Sequence, residues 1–482
     1  MLSDMLFKRQ FSLTLYKNKK LMLGEMSFFK DFITDTRGDL YPLLCKEGEP
    51  TETISGGFYH VTGSETDFLS RLVGQFFPYA NYELQLEALE GTVGFQFLKP
   101  DGSCFMCTLS GKNGTLYNDN QPVCALVPGL SLIFSCRGAY IDLYTKAPDG
   151  VPTFLHTTFA PGFDDLCRES VFSGSYAALA VSGTAVLRSV SFYMDCGLSQ
   201  ADMRPIRYEN GEIMLENGKV FLSMSIRQQE GGYQGIFSWI PGTSEFELCG
   251  ALFYDAGDGL WANDVALSML YHRTEKKWMY WVCSFAHEHI LAHGECTGEV
   301  RYGVHVLDVT LMPKKKATDP DTVFLAKQDD EDPDFVYDEA SGRWYMSICR
   351  LVEDEKGRGY RYFLFSSERP FDGYVPVSHA SEGEETGGSF VRDGQGLAFA
   401  CGNGFGRRAE YRVYRVPDFS SYTLLAHEYD DGGFRGWGTV MPIPVGSRTE
   451  WYHLTFDRAN ASSYNWSYGN LYCFRGTSVF SK

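Results

Sequence analysis

The chain has 482 residues and a formal net charge of −18, with 44% hydrophobic and 15% aromatic residues. That apolar content excludes a disordered chain, and so acidic a surface disfavours nucleic acid or an anionic membrane as partner. No apolar run is long enough to span a bilayer as a helix, and the length favours two domains.

Residues 1–50 are expected to form an arm, with a strand over Phe11–Tyr16 and a short helix over Met26–Phe32. The apolar run Phe11–Leu15 is short, is followed by lysines, and lacks a small-residue cleavage site, so no secretory leader is expected. The 13 cysteines are odd in number and scattered. Cys104 and Cys107 are the closest pair, and their strand-like setting reads as buried thiols. A reducing compartment follows, and cytoplasm is the expected location.

Over 51–198 the pattern alternates with period two between frequent turns. Tyr82–Glu87, Val93–Leu98, Leu130–Cys136, Ala139–Thr145, Ser175–Val181 and Ala185–Tyr193 each read as a strand. Short strands at this spacing predict a β-sandwich of jelly-roll or lectin-like form. Such sandwiches include carbohydrate-binding modules, but the fold alone does not confer that function.

From 199 to 482 the texture changes to a repeat of about 50–65 residues, a spacing typical of propellers. Five phrases align, each an inner strand, a turn and a second strand. They are Asp202–Ile206 with Gly218–Leu222, Trp261–Val265 with Lys277–Trp281, Asp332–Val336 with Gly342–Met346, Glu385–Phe390 with Gly396–Ala400, and Gly436–Val440 with Trp451–Leu454. Outer strands follow, so the prediction is all-β, with an N-terminal β-sandwich and then a five-bladed β-propeller. The last strand, Leu471–Phe474, is expected to pair with the first blade and close the ring.

In a propeller the inner strands converge on one axis, so residues at their starts gather around a central pocket. Those positions carry Asp202, Asp264, Asp332, Asp334, Glu384 and Glu385. Carboxylates brought together and partly buried repel one another, and some hold their protons to higher pH. One can then be an acid while another is a base, as glycoside hydrolysis requires.

The ordered set resembles the five-bladed propeller glycosidases, chiefly glycoside hydrolase family 43 and relatives such as families 32, 62, 68 and 117. In that resemblance Asp202 matches the first-blade base, and Trp261-Ala262-Asn263-Asp264 matches a Trp-Ala-Pro-Asp phrase with Asn for Pro. Asp332-Pro333 matches the Asp that orients and tunes the acid. Glu385-Thr386-Gly387 matches the acid's Glu-Gly-Pro more loosely, with Glu384 as a competitor. Trp437 stands where the fifth blade often carries a histidine near an axial ion or water. The resemblance implies hydrolysis of a glycosidic bond in an oligosaccharide, with inversion and no organic cofactor. An axial calcium is the one ion left open, and Trp437 speaks against it.

Substrate contacts are expected from Trp261, Asp264, Asp334, Glu384, His287, His289, Arg204 and Trp437. His287-Glu288-His289 with His293 lacks the order of a zinc-protease helix and reads as a loop, so no metal is assigned. Most of Arg204, Arg207, Arg227, Arg301, Arg392 and Arg435 should pair with carboxylates, and one could instead read an acidic sugar or a phosphate. Asp255–Gly259 is too short for a calcium loop and reads as a turn. Two alternatives stand beside hydrolysis: a glycoside phosphorylase, and a non-catalytic carbohydrate-binding propeller.

Overall fold

The structure, a computed structural model, describes residues 2–13, 20–27, 34–35, 41–160, 162, 167–197, 199–227, 232–287, 290–312, 330–354, 357–381, 383, 385–403, 410–428, 434–457 and 470–478. They are almost all strand, and the one α-helix among them is the single turn Glu169–Phe172. The chain divides into two compact units, one of Lys20–Asp195 and one of Met1–Lys19 with Cys196–Lys482.

In the first unit two long strands, Asn81–Leu98 and Tyr176–Asp195, pair antiparallel along nearly their whole lengths. Four separate strands were expected over these stretches. They merge because Gly91 opposes Gly183, both with positive φ, of 136° and 82°. A Cβ on Gly91 would lie 2.1 Å from the Ser182 carbonyl oxygen, so only glycine lets the two backbones pass this close. The described strands of the unit join into one hydrogen-bonded network of 14 strands. Lys20–Ser27 is a strand paired with Tyr176–Asp195, where a helix from Met26 was expected. Its long-range pairing overrides the local helical pattern, and residues 28–33 lie outside the description. Cys107 is buried but Cys104 is exposed, because residues three apart on a strand face opposite sides.

The second unit is a five-bladed propeller. Its inner strands are Ser199–Pro205, Val265–His272, Asp330–Asp338, Glu385–Asp393 and Phe434–Val445. Each pairs antiparallel with the second strand of its blade, and successive inner strands lie side by side, the fifth against the first. Buried apolar residues fill the spaces between blades. Ile236, Leu252, Leu267 and Tyr280 lie between the first two, and Met279, Trp281, Phe335 and Met346 between the next two.

Closure differs from the expectation. Leu471–Ser478 stays in the fifth blade beside Arg448–Asp457, and the N-terminal strand Met5–Leu13 pairs antiparallel with its outer edge. The short strand Ala426–His427 adds in parallel beyond that. Thus the chain's first strand completes the blade made by its last. Phe7 is wholly buried there, in a cluster with Leu2, Val391, Trp451 and Phe474. Phe7→Ala should therefore destabilise the propeller by about 3–5 kcal/mol, read from its transition in urea. A change too small to measure would mean that the ring does not depend on this strand.

Candidate active site

Every inner strand carries a bulge near its start. The pairing register shifts between Ala201 and Arg204, Val265 and Ser268, Glu331 and Asp334, Thr386 and Ser389, and Arg435 and Thr439. At the matching point the backbone turns left-handed, with φ of 52° at Asp202, 56° at Ala266, 51° at Asp332 and 60° at Gly387. Bulges re-aim side chains and collect beside functional sites, and a non-glycine residue at positive φ is uncommon.

The bulges give the phrases a common phase. Asp202 and Asp332 are structurally equivalent, whereas Asp264 and Glu385 stand two residues earlier, in line with Asp330. Carboxylates of the earlier set are fully buried and turn to partners within their own blades. Arg350 grips Asp330 through two nitrogens at 2.6 and 2.8 Å. Glu385 Oε1 accepts hydrogen bonds from Arg412 at 3.0 Å and from the Tyr414 hydroxyl. Burial, only partly offset by Tyr414 and Arg412, holds the Glu385 carboxyl above the usual carboxylate range. Asp264 Oδ1 accepts from the Ala286 amide at 3.5 Å, and burial pushes this carboxyl up to about 6 against a hydrogen bond from Ser284.

The bulge pair behaves differently. Asp332 Oδ2 accepts from the Gly387 amide of the fourth blade at 3.0 Å. Burial, then the neighbouring charge of Asp202, holds the Asp332 carboxyl well above the usual range. Glu331 adds to this and Arg204 opposes it. Asp202 Oδ2 lies 3.6 Å from Arg227. Buried Cys283 feels burial first and then the negative charges of Glu331, Asp332, Asp264 and Asp202, while Cys349 feels Asp332, Glu331 and Glu385. Carboxylates from the first four blades thus gather around two buried thiols.

Arg204 and Asp334, expected at the substrate, make hydrogen bonds to neighbouring blades. Arg204 Nε donates to the Gly388 carbonyl at 3.2 Å and Nη1 to that of Ala266 at 2.8 Å. Asp334 accepts from Arg207, Ser268 and the Phe390 amide. His287 Nδ1 bonds the Ser284 hydroxyl at 2.8 Å, and Nε2 lies 3.6 Å from Asp258. Trp261 stacks on Phe253 at 5.8 Å between ring centroids. His293 is packed between Trp281 and Phe371, and its burial lowers its affinity for a proton to a pKa of about 4. Asp255 accepts three backbone N–H bonds in a tight turn. Glu384, His289 and the side chain of Trp437 lie outside the described residues. Under Gly438 packs His453, from the next strand, which bonds His427 at 2.7 Å.

Sequence reasoning singled out neither Glu331, Arg412 nor Tyr414. The acidic run Asp329–Asp332 was a usable signal for Glu331. Arg412 and Tyr414, on a third strand, had none.

No family model matches the sequence, and no curated protein matches it. Among solved structures, the chain is similar to Zg3597, a family 117 glycoside hydrolase of Zobellia galactanivorans, at 10% identity and TM-score 0.38, covering 58% of this chain and 91% of that one. It is similar to Penicillium chrysogenum α-L-arabinanase complexed with arabinobiose at 8% identity and TM-score 0.36, covering 84% and 97%. It is also similar to Bacillus subtilis levansucrase at 10% identity and TM-score 0.39, covering 59% and 87%. At these values the likenesses say nothing of this chain's chemistry, and the five blades rest on its own strand pairing.

The carboxyl of Asp264 has a stability consequence. Its folded pKa of about 6 lies above the ordinary value, so between about pH 4 and 6 the unfolded chain binds fewer protons and stability falls as pH rises. Asp264→Asn should remove that loss, on the order of 2–3 kcal/mol, and be relatively more stable than the parent at pH 7 than at pH 4. Parallel stability-against-pH curves for the two proteins would contradict this.

Proposed function

We propose that the propeller hydrolyses a glycosidic bond in an oligosaccharide, with Asp202 and Asp332 as the working carboxylates. The observation that carries this reading is the pair of aspartates at equivalent bulges: burial and the charge of Asp202 raise the Asp332 carboxyl well above the usual range, while Asp202 lies beside an arginine. Two carboxyl groups in unlike environments are what general acid and base catalysis needs. Asp332 donates its proton to the glycosidic oxygen as the bond to the anomeric carbon breaks. Asp202 takes a proton from the water that attacks that carbon from the opposite face. The products are a hemiacetal and an alcohol, with the anomeric configuration inverted.

This assignment moves the acid from Glu385, where the resemblance would put it, to Asp332. Glu385 Oε1 is held within its own blade by Arg412 and Tyr414, and this favours Asp332 over Glu385 as the proton donor. We further propose that the unit Lys20–Asp195 folds its sheet over as a sandwich, because Leu84, Val93, Phe95, Leu132 and Phe134 supply an apolar interior. Cytoplasmic location is likewise proposed, on the ground of 13 free cysteines.

A panel of aryl glycosides and plant oligosaccharides, with product anomers read by NMR, tests the function. Asp202→Asn and Asp332→Asn should each lower turnover by about 100-fold or more without lowering the melting temperature. Glu385→Gln should lower it less than Asp332→Asn does. The reverse order would return the acid to Glu385, and no hydrolysis anywhere in the panel would end the reading. The rate should also fall as pH rises through the raised pKa of Asp332, giving an alkaline limb above the ordinary carboxylate range. A flat profile there would remove Asp332 as proton donor.

A further inference from the structure

In the unit Lys20–Asp195, the strands Leu130–Arg137, Tyr140–Lys146 and Thr153–Phe159 run antiparallel in that order, the last at the edge. Directly opposed residues on antiparallel strands share a face. The register therefore sets three rows on one face: Arg137 with Tyr140 and Phe159, Ser135 with Asp142 and Thr157, and Ile133 with Tyr144 and Phe154. The opposite face, with Leu132, Phe134, Ile141 and Leu143, is apolar core.

Aromatic rings close both outer rows. Tyr140, Phe159 and Phe154 are 44%, 49% and 42% exposed. Tyr140 lies 5.4 Å from Phe159 between ring centroids, and Phe154 meets Tyr144 edge-on at 5.6 Å. The middle row is polar, with Thr157 Oγ1 donating to Asp142 at 2.6 Å. Exposed rings on an edge strand invite aggregation unless they have a use.

Arg137 supplies an independent observation. It is only 5% exposed. Its Nη1 donates to the carbonyls of Tyr79 and Cys136, whereas Nε and Nη2 are buried without a hydrogen-bond partner among the described residues. Those two nitrogens form the side-on edge of the guanidinium that matches a carboxylate with two parallel bonds. A buried charged edge that lacks a partner is costly.

We propose that this face binds a short oligosaccharide bearing one carboxylate. The uronic acid would sit on the Nε–Nη2 edge of Arg137, and neighbouring sugar rings would stack on Tyr140, Phe159 and Phe154. Rows containing Tyr140 and Tyr144 stand roughly 13–14 Å apart along the strand, which gives a row of sugar rings its length. A single carboxylate suits the site better than a polyanion. The chain's net charge of −18 would repel a long acidic polymer more than a sugar that carries a single charge.

Calorimetric titration of the full chain with xylotriose carrying one glucuronic acid, and with plain xylotriose, tests this. The acidic sugar should bind about tenfold tighter or more. Arg137→Lys should abolish that preference, and Tyr140→Ala with Phe159→Ala should weaken both sugars by about tenfold. Melting temperatures report whether each variant is folded, and the exposed-ring variant decides if Arg137→Lys is not. Equal affinity for the two sugars, binding of neither, binding untouched by the ring variant, or a patch that instead pairs two copies of the chain in sedimentation would overturn the proposal.

Discussion

Two buried arginines hold the axis of the propeller together. Arg204 and Arg207 both come from the first blade's leading segment, and their guanidinium groups reach backbone carbonyls in the second, third and fourth blades. Arg207 also grips Asp334, which accepts in turn from Ser268 and the Phe390 amide. A buried charge of this kind is tolerable only when paired and hydrogen-bonded, and losing one partner is strongly destabilising. For Arg204, burial works against its charge, but the carboxylates of Asp332, Asp334 and Asp202 more than offset this. Bracing and chemistry are therefore linked: the cation that joins the blades also makes it tolerable to gather so many acids at one end of the axis.

The shared bulge explains how the acids take different roles. One left-handed residue in each of four inner strands turns the backbone at the same depth. Where that residue is Asp202 or Asp332, the carboxyl belongs to the axial pair. Two positions earlier, Asp264, Asp330 and Glu385 turn back into their own blades toward Ser284, Arg350 and Arg412. Aspartate tolerates the left-handed region better than most residues, so the bulge favours the same residue type that the chemistry uses.

Much of this was legible in the chain. The spacing of the five phrases, with Asn-Gly, Asp-Gly and glycine turns between strands, located the blades because hairpin chemistry and period-two burial are local properties. It also placed acids at the inner strand starts. The relative phase of the phrases was not legible. Aligned by motif, Asp264 and Glu385 fall level with Asp202 and Asp332, but they stand two residues before the bulge that Asp202 and Asp332 occupy, and the bulge leaves no composition signal of its own. Bracing roles for Arg204 and Asp334 were hidden for a related reason, since a charged residue at an inner strand start reads the same whether it faces a substrate or a neighbouring blade.

By itself, the sequence determined an all-β chain, a change of texture near residue 199, five blades, and a concentration of carboxylates at one end of their inner strands. These follow from periodicity, turn residues and charge, which act over a few neighbours. Only the tertiary structure decided that Met5–Leu13 closes the ring, that Asp202 and Asp332 occupy equivalent bulges, and that Glu385 is held by Arg412 and Tyr414. Each joins residues far apart in the chain or on different strands, and depends on backbone pairing and burial that no local pattern encodes.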